Sequence, residues 1–424
     1  MPSVNAASRA VFAVFAASGF GFASWAARLP SVRDLLEMSE YQMGFLLLTA
    51  SIGSVAALPL SGLIVQRIGT ARTVLGFAVV MTTGIAVAGF GALWGQEWVV
   101  RGGMILMGIG AGVWDAAMNL EGAAVEKQLG RSIMPTYHAG FSFGTVLGAG
   151  AGAGAAFLHV PLEWHLVAAG AVALVTVVVS VRAFLPEVQV SGAGQAPAGT
   201  AARADDAYAD PALPAAELTR PAPASSGDGA GLRGMLGAWR EPRTLAIGLV
   251  VLAAALTEGV ANDWVSLAVV DGFDVPNGTG AVGLAVFLTF MTVMRLAGTK
   301  AIDRFGRVPM LRATLLMAIV GVAIFALVPW LWLALVGVAL WGMGAALGFP
   351  MGMSASSDDP ERAPMRLAAA STIGYGAFFI GPPLIGFLAD HTGYRLAVLV
   401  LAVPTILGLA AANAVREPRP EPAR

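Results

Sequence analysis

Apolar runs of about twenty residues decide what this chain can become. Read between charged or turn-forming breaks, they fall roughly at 9–29, 40–65, 72–94, 98–121, 135–158 and 164–185, then at 244–268, 280–301, 310–329, 331–354, 367–389 and 395–415. A membrane-spanning helix needs about 20 consecutive, mostly apolar residues, so each run predicts one crossing. Only 12% of the residues are charged and mean hydropathy is +0.75, whereas a soluble domain carries about 25% charged residues. Such a chain has too little polar surface to cover a globule in water. The first run follows Arg9 in the manner of a signal peptide. It continues to Ala27 and is followed by many equally long runs, which makes it a first crossing.

The runs form two blocks of six, and the blocks share landmarks. Gly298-Thr299-Lys300-Ala301-Ile302-Asp303-Arg304-Phe305-Gly306-Arg307 is a basic turn whose weaker copy spans Gly62 to Arg72. Arg67/Gly69 and Arg304/Gly306 lie 237 residues apart. Gly21-Phe22-Ala23-Ser24-Trp25 parallels Val260-Ala261-Asn262-Asp263-Trp264 at an offset of 239, and Gly108-Ile109-Gly110-Ala111 parallels Gly342-Met343-Gly344-Ala345 at 234. Near-constant offsets identify a duplication of halves. Two six-helix halves in one orientation are related by an axis along the membrane normal, with the solute path between them. The chain divides into an N-terminal half (1–185), a cytoplasmic linker (186–243) and a C-terminal half (244–424). The linker is rich in Ala, Pro, Gly, Ser and Asp without an apolar period, so it lacks the apolar surface to order itself. Gly231 to Arg243, with Trp239, reads as a short interfacial helix at its end.

Basic residues set the orientation. With the N-terminus inside, 20 of the 25 lysines and arginines fall on cytoplasmic segments and helix ends. The expected protein is a multi-pass protein of the cell membrane, with both termini cytoplasmic. Without cysteine it has no disulfide, thiolate metal site or cysteine nucleophile. No basic patch with interleaved aromatics points to nucleic acid, and no Walker motif points to ATP. No metal or cofactor is expected. The pattern is an all-α membrane protein of 12 transmembrane helices in two pseudo-symmetric halves, acting as a monomer and not as an enzyme.

Six plus six runs, a cytoplasmic middle linker and the repeated loop together resemble the major facilitator superfamily. Its loop signature is roughly Gly-x-x-x-Asp-Arg-x-Gly-Arg-Arg/Lys. Asp303-Arg304-Phe305-Gly306-Arg307 matches the core; in the first copy Gln66 replaces the acid. Trp25-Ala26-Ala27-Arg28-Leu29-Pro30, Asp115-Ala116-Ala117-Met118-Asn119, His138-Ala139-Gly140-Phe141-Ser142, Asp263-Trp264 and Gly381-Pro382-Pro383 resemble the rhizopine-transport-protein-like branch, itself similar to fucose-permease-type sugar symporters. The resemblance implies alternating access around a cavity lined by the first, fourth, seventh and tenth helices. It also implies that the loop acid, paired with an arginine, locks one state. The gate residues would be Arg67, Gly69, Arg72, Asp303, Arg304, Gly306 and Arg307. Because Gln66 carries no charge, Asp303→Asn should disturb gating more than Gln66→Ala.

Ionisable residues inside a span cost at least ~2.5–3.5 kcal/mol at its centre, so the few present mark partners or tasks. Glu258 lies near the middle of the seventh run, and Asn262, four residues on, shares its face. Asp263 lies a step further round, nearer the outer mouth. Asp115 and Asn119 stand four apart in the fourth run, and His138 opens the fifth at a comparable depth. These groups are candidates to bind solute hydroxyls or to carry a proton. Arg295, the one basic residue well inside a span, needs a carboxylate; Asp115 and Glu258 both qualify. Arg101 suits snorkelling to the interface. Gly140, Gly144, Gly148 and Gly152 give the fifth run a smooth face for close helix packing. The function read here is proton-coupled secondary transport of a small sugar- or polyol-like solute. The alternatives are a proton-antiport exporter and a membrane sensor without flux.

Overall fold

The computed structural model describes residues 3–131, 133–185, 237–359 and 362–417, and these are helical without a strand. The first half holds α1 (Val4–Ala26), α2 (Leu29–Leu36), α3 (Glu40–Ile68), α4 (Thr70–Leu93), α5 (Glu97–Leu129), α6 (Met134–Phe157) and α7 (Leu162–Ser180). The second holds α8 (Pro242–Phe273), α9 (Asn277–Phe305), α10 (Arg307–Leu327), α11 (Leu331–Ala345), α12 (Gly348–Ser356) and α13 (Ala363–Thr392). It closes with α14 (Tyr394–Ala397) and α15 (Ala402–Ala411), joined by a 3-10 turn. Helices dominate because nothing in a bilayer core can bond a free backbone N–H or C=O. Eleven crossings are long and apolar enough by composition. The twelfth, α6, spans 24 residues but dilutes its apolar side chains with glycine.

Local chemistry sets the ends. Ser39 caps α3 in a capping box, accepting from Gln42 N (3.3 Å) while Gln42 Oε1 accepts from Ser39 N (2.9 Å). No side chain of its own caps α6; Glu126 of α5 does so instead, taking the N–H groups of Ile133 and Met134, both at 2.7 Å. Two expected runs come out differently. The first continues beyond residue 29 into α2, which Pro30 helps to start. The tenth is broken between α11 and α12 at Ala346–Leu347. Pro350 has no N–H to give the carbonyl four residues back and crowds it, which frees the Ala346 oxygen. The 186–236 part of the expected linker lies outside the described residues, and α8 starts at Pro242. Of the expected interfacial helix, the described residues show one turn at 237–240.

The duplication recurs in three dimensions. Gly69 and Gly306, which join α3 to α4 and α9 to α10, share φ 84° and ψ 161°. That region is essentially restricted to glycine. Gly108 and Gly110 of α5 press on the backbones of Ala50 and Met81. Gly342 and Gly344 press on Phe287 and Ala318, each 237 residues further along. In α6, Gly144 and Gly148 lie against the Ala16 and Phe20 carbonyls of α1, so the glycine stripe seats one helix on another. The halves meet along two seams, α6 with α9 and α3 with α13.

The shared dihedral gives a direct prediction. A methyl on Gly306 would meet only Pro309 Cδ, at 3.9 Å, so Gly306→Ala carries a purely conformational cost of ~1–3 kcal/mol. Unfolding of the purified protein in mixed micelles should show that loss. Gly376, also open to a methyl but within α13, should show far less when changed to alanine.

Candidate functional site

A chamber lies between the halves. Its inner lobe, about 260 Å³, is framed by Ser18, Ser54, Asp115, Glu258, Asn262 and Tyr375. An adjoining lobe of about 220 Å³ shares Ser54, Asn262, Tyr375, Phe22 and Phe378 and runs on to Trp25, Leu29, Met104, Met107 and Asp263. Both lobes are walled mostly by apolar groups; Ser18, Asp115 and Glu258 belong to the first alone, and Ser51 and Asp263 to the second alone. The contributing helices are α1, α2, α3, α4, α5, α6, α8 and α13. From α8, Ala255, Glu258, Gly259 and Asn262 recur at helical spacing and turn one face to the chamber.

Arg295 has its carboxylate in Glu258. Nη2 lies 2.9 Å from Oε2 and 3.1 Å from Oε1, and the side chains are 14% and 13% exposed. This is a partly buried pair, where removing one partner strands a charge. Nε also reaches the Ala346 oxygen at 3.5 Å, the carbonyl released by Pro350. The helix break and the in-span arginine thus explain each other. The sequence left Asp115 and Glu258 equal; the geometry gives Glu258.

The other candidates divide. Asn119 donates to the Asp115 backbone oxygen (2.9 Å) and to Asp115 Oδ1 (3.3 Å), steadying the carboxylate at the chamber wall. Asn262 presents a buried Oδ1 without a partner among the described residues, so it is an acceptor waiting for a donor. Asp263 faces the second lobe, and among the described residues it makes no hydrogen bond or ion pair. His138 lines a second cavity of about 140 Å³ with Ser142, Thr292, Arg295 and Thr299, on the α6–α9 seam. Tyr375 escaped sequence reasoning. Its signal was a tyrosine set between Gly374 and Gly376 in an apolar run.

One end of the chamber is closed by contacts across the halves. Arg33 of α2 bonds Asp271 of α8 and also Asp34 (2.7 Å). Asn277 Nδ2 donates to Asp34 (2.9 Å), and Ser266 Oγ donates to the Ala26 oxygen (3.2 Å). Gly44 of α3 abuts Pro382 and Gly386 of α13. At the Gly306 end, polar contacts run within each half. Asp358 takes Arg307 (2.8 Å) and Arg243 (2.6 Å), and Glu121 takes the Leu185 N–H (2.8 Å). Outside the membrane at this end, hydrogen bonds from Arg366 hold the Glu241 carboxyl below its usual range.

The expected gate pairing differs in detail. Arg307 bonds Asp358 and Glu417 rather than Asp303. Asp303 is exposed and makes no hydrogen bond or ion pair among the described residues; Arg304 lies over the Phe305 ring at 5.3 Å. Arg67 and Arg72 are exposed. Arg101 pairs with Glu97 (2.5 Å) and lies near exposed Trp98.

Comparisons place this geometry. The sequence profile described as Major Facilitator Superfamily matches residues 10–375. The chain is 27% identical to an uncharacterized transporter, y4wD, of Sinorhizobium fredii over 396 residues, covering 93% of this chain and 94% of that one. Its fold is similar to the nucleoside transporter NupG (TM-score 0.68, 14% identity, 96% and 98% covered). It is also similar to the E. coli fucose:proton symporter FucP (TM-score 0.57, 16% identity, 95% and 98% covered). A chamber between two duplicated six-helix halves and a profile spanning most of the sequence lead to one assignment: the chain belongs to the Major Facilitator Superfamily, as a multi-pass membrane transporter of small-molecule solutes and not an enzyme.

Proposed function

We propose that the protein is a monomeric secondary transporter of the cell membrane that moves a small polar, sugar- or polyol-like solute with protons by alternating access. The observation that carries this reading is the inner lobe, where Asp115, Asn262, Ser18, Ser54 and Tyr375 converge from both halves. Acceptor-rich walls suit a solute that brings hydroxyl or amine donors. The arginine bias supports a cytoplasmic Gly306 end and cytoplasmic termini; in that orientation closure at the α2 end corresponds to an inward-facing state. FucP, named as a fucose:proton symporter, supports proton coupling by fold likeness alone. Asp303 without a bonded partner fits a loop lock that engages in the opposite state.

A second reading, a proton-antiport exporter of amphipathic metabolites, draws on the lobe around Met104, Met107 and Leu29. Flux into proteoliposomes over a panel of sugars, polyols and hydrophobic amines, with and without a pH gradient, separates the two. The first reading expects a sugar or polyol to accumulate more than tenfold when a gradient is imposed and to equilibrate without one. Gradient-driven movement of hydrophobic amines alone would replace it with the second.

A further inference from the structure

The two acids of α8 that reach the chamber stand in opposite electrostatic settings. Both oxygens of Glu258 face Arg295 Nη2, and Arg295 is tied in turn to Ala346. A carboxylate so compensated has its charge cancelled in place. Asp263 lies five residues on, about 7.5 Å along the axis, and among the described residues no cation or donor meets it. Tyr375 of α13 is the one other titratable side chain lining its lobe; α1, α2, α3, α4 and α5 contribute aromatic, aliphatic, serine and methionine groups. Beyond the lobe, Arg33 is engaged by Asp34 and Asp271 at one end. At the other end Asp115 and the Glu258–Arg295 pair line the inner lobe and the second cavity.

We propose that Asp263 is the proton-binding group of the transport cycle and that Glu258, with Arg295, is a fixed ion pair. The proposal rests on the proton coupling argued above and adds which acid performs it. The step is one protonation: hydronium from the aqueous side gives H⁺ to a carboxylate oxygen, one O–H bond of H3O⁺ breaks as one forms on Asp263, water is left, and the side-chain charge goes from −1 to 0. The reverse occurs on the other side of the membrane. Its link to motion is physical. Closing both ends around an unpaired carboxylate costs several kcal/mol. A proton removes that cost, so the halves rock with Asp263 neutral.

The test uses the proton itself as probe. Infrared difference spectra of the full chain in liposomes, between about pH 6.5 and pH 9 where ordinary aspartates and glutamates stay ionised, should show a protonated-carboxyl C=O band. Asp263→Asn should abolish the band and Asp263→Glu should move it. The double variant Glu258→Gln/Arg295→Gln, which strands no charge, should keep it. A band that survives Asp263→Asn, stays unmoved in Asp263→Glu, vanishes in the double variant or is missing from the parent overturns the assignment. Should Asp263→Asn fail to fold, the shift in Asp263→Glu decides alone. No solute moves in this experiment, so its failure is distinct from failure of the flux panel.

Discussion

Glu258→Gln alone should destabilise the protein by up to ~3–5 kcal/mol, because it leaves the Arg295 guanidinium largely shielded from water without its counter-charge. Arg295→Gln should cost a similar amount by stranding Glu258. The double substitution should recover most of the loss, since it removes both charges and leaves two amides able to bond each other and the Ala346 carbonyl. The regime follows from exposure: at 14% and 13% both groups are largely shielded from water, whereas a surface pair is worth only ~0–1 kcal/mol. Reversible unfolding in mixed micelles gives the cycle. Single and double losses that simply add would mean that the two side chains do not interact.

The second large effect concerns the closed end. Asp271→Asn removes the link from α8 to Arg33 while leaving Arg33 its bond to Asp34. With side chains 14% and 32% exposed, the pair is partly solvated, and its loss is worth ~1 kcal/mol. If that energy is specific to the inward-facing state, the outward-facing population rises about fivefold. The chain has no cysteine, so Ser51→Cys, in the lobe behind this end, becomes the single thiol. Its reaction with an impermeant maleimide added outside should quicken about fivefold in the Asp271→Asn background. An unchanged rate would mean that Arg33 and Asp271 do not hold the end shut.

The crossings were legible because burial in lipid forces length and composition on each one. The repeat was legible because turn glycines sit where only glycine serves, as Gly69 and Gly306 do with the same φ and ψ. Contacts between halves were not. Arg33 and Asp271 lie 238 residues apart, and each alone is indistinguishable from a charge that sets topology. The partner of Arg295 stayed open because both candidate acids sit at fitting depths, and only the path of α9 past α8 separates them. The break at Ala346 was readable in principle, since Pro350 strips a carbonyl four residues back. It was hidden inside a run that composition alone makes continuous. Tyr375 and the orphan oxygen of Asn262 became meaningful only when α13 and α8 were placed face to face.

Alternating access through the chamber is tested most directly by reading one thiol from both sides. Ser54→Cys lies where the two lobes overlap, and it can be labelled in right-side-out and inside-out vesicles, with and without Asp271→Asn. Fast labelling from the cytoplasmic side is expected in the parent. When the Arg33–Asp271 link is removed, outside labelling should rise and cytoplasmic labelling should fall with it. Labelling that rises from both sides together would indicate an open pore, and labelling from one side regardless of the lock would indicate a protein that does not alternate; either contradicts the account.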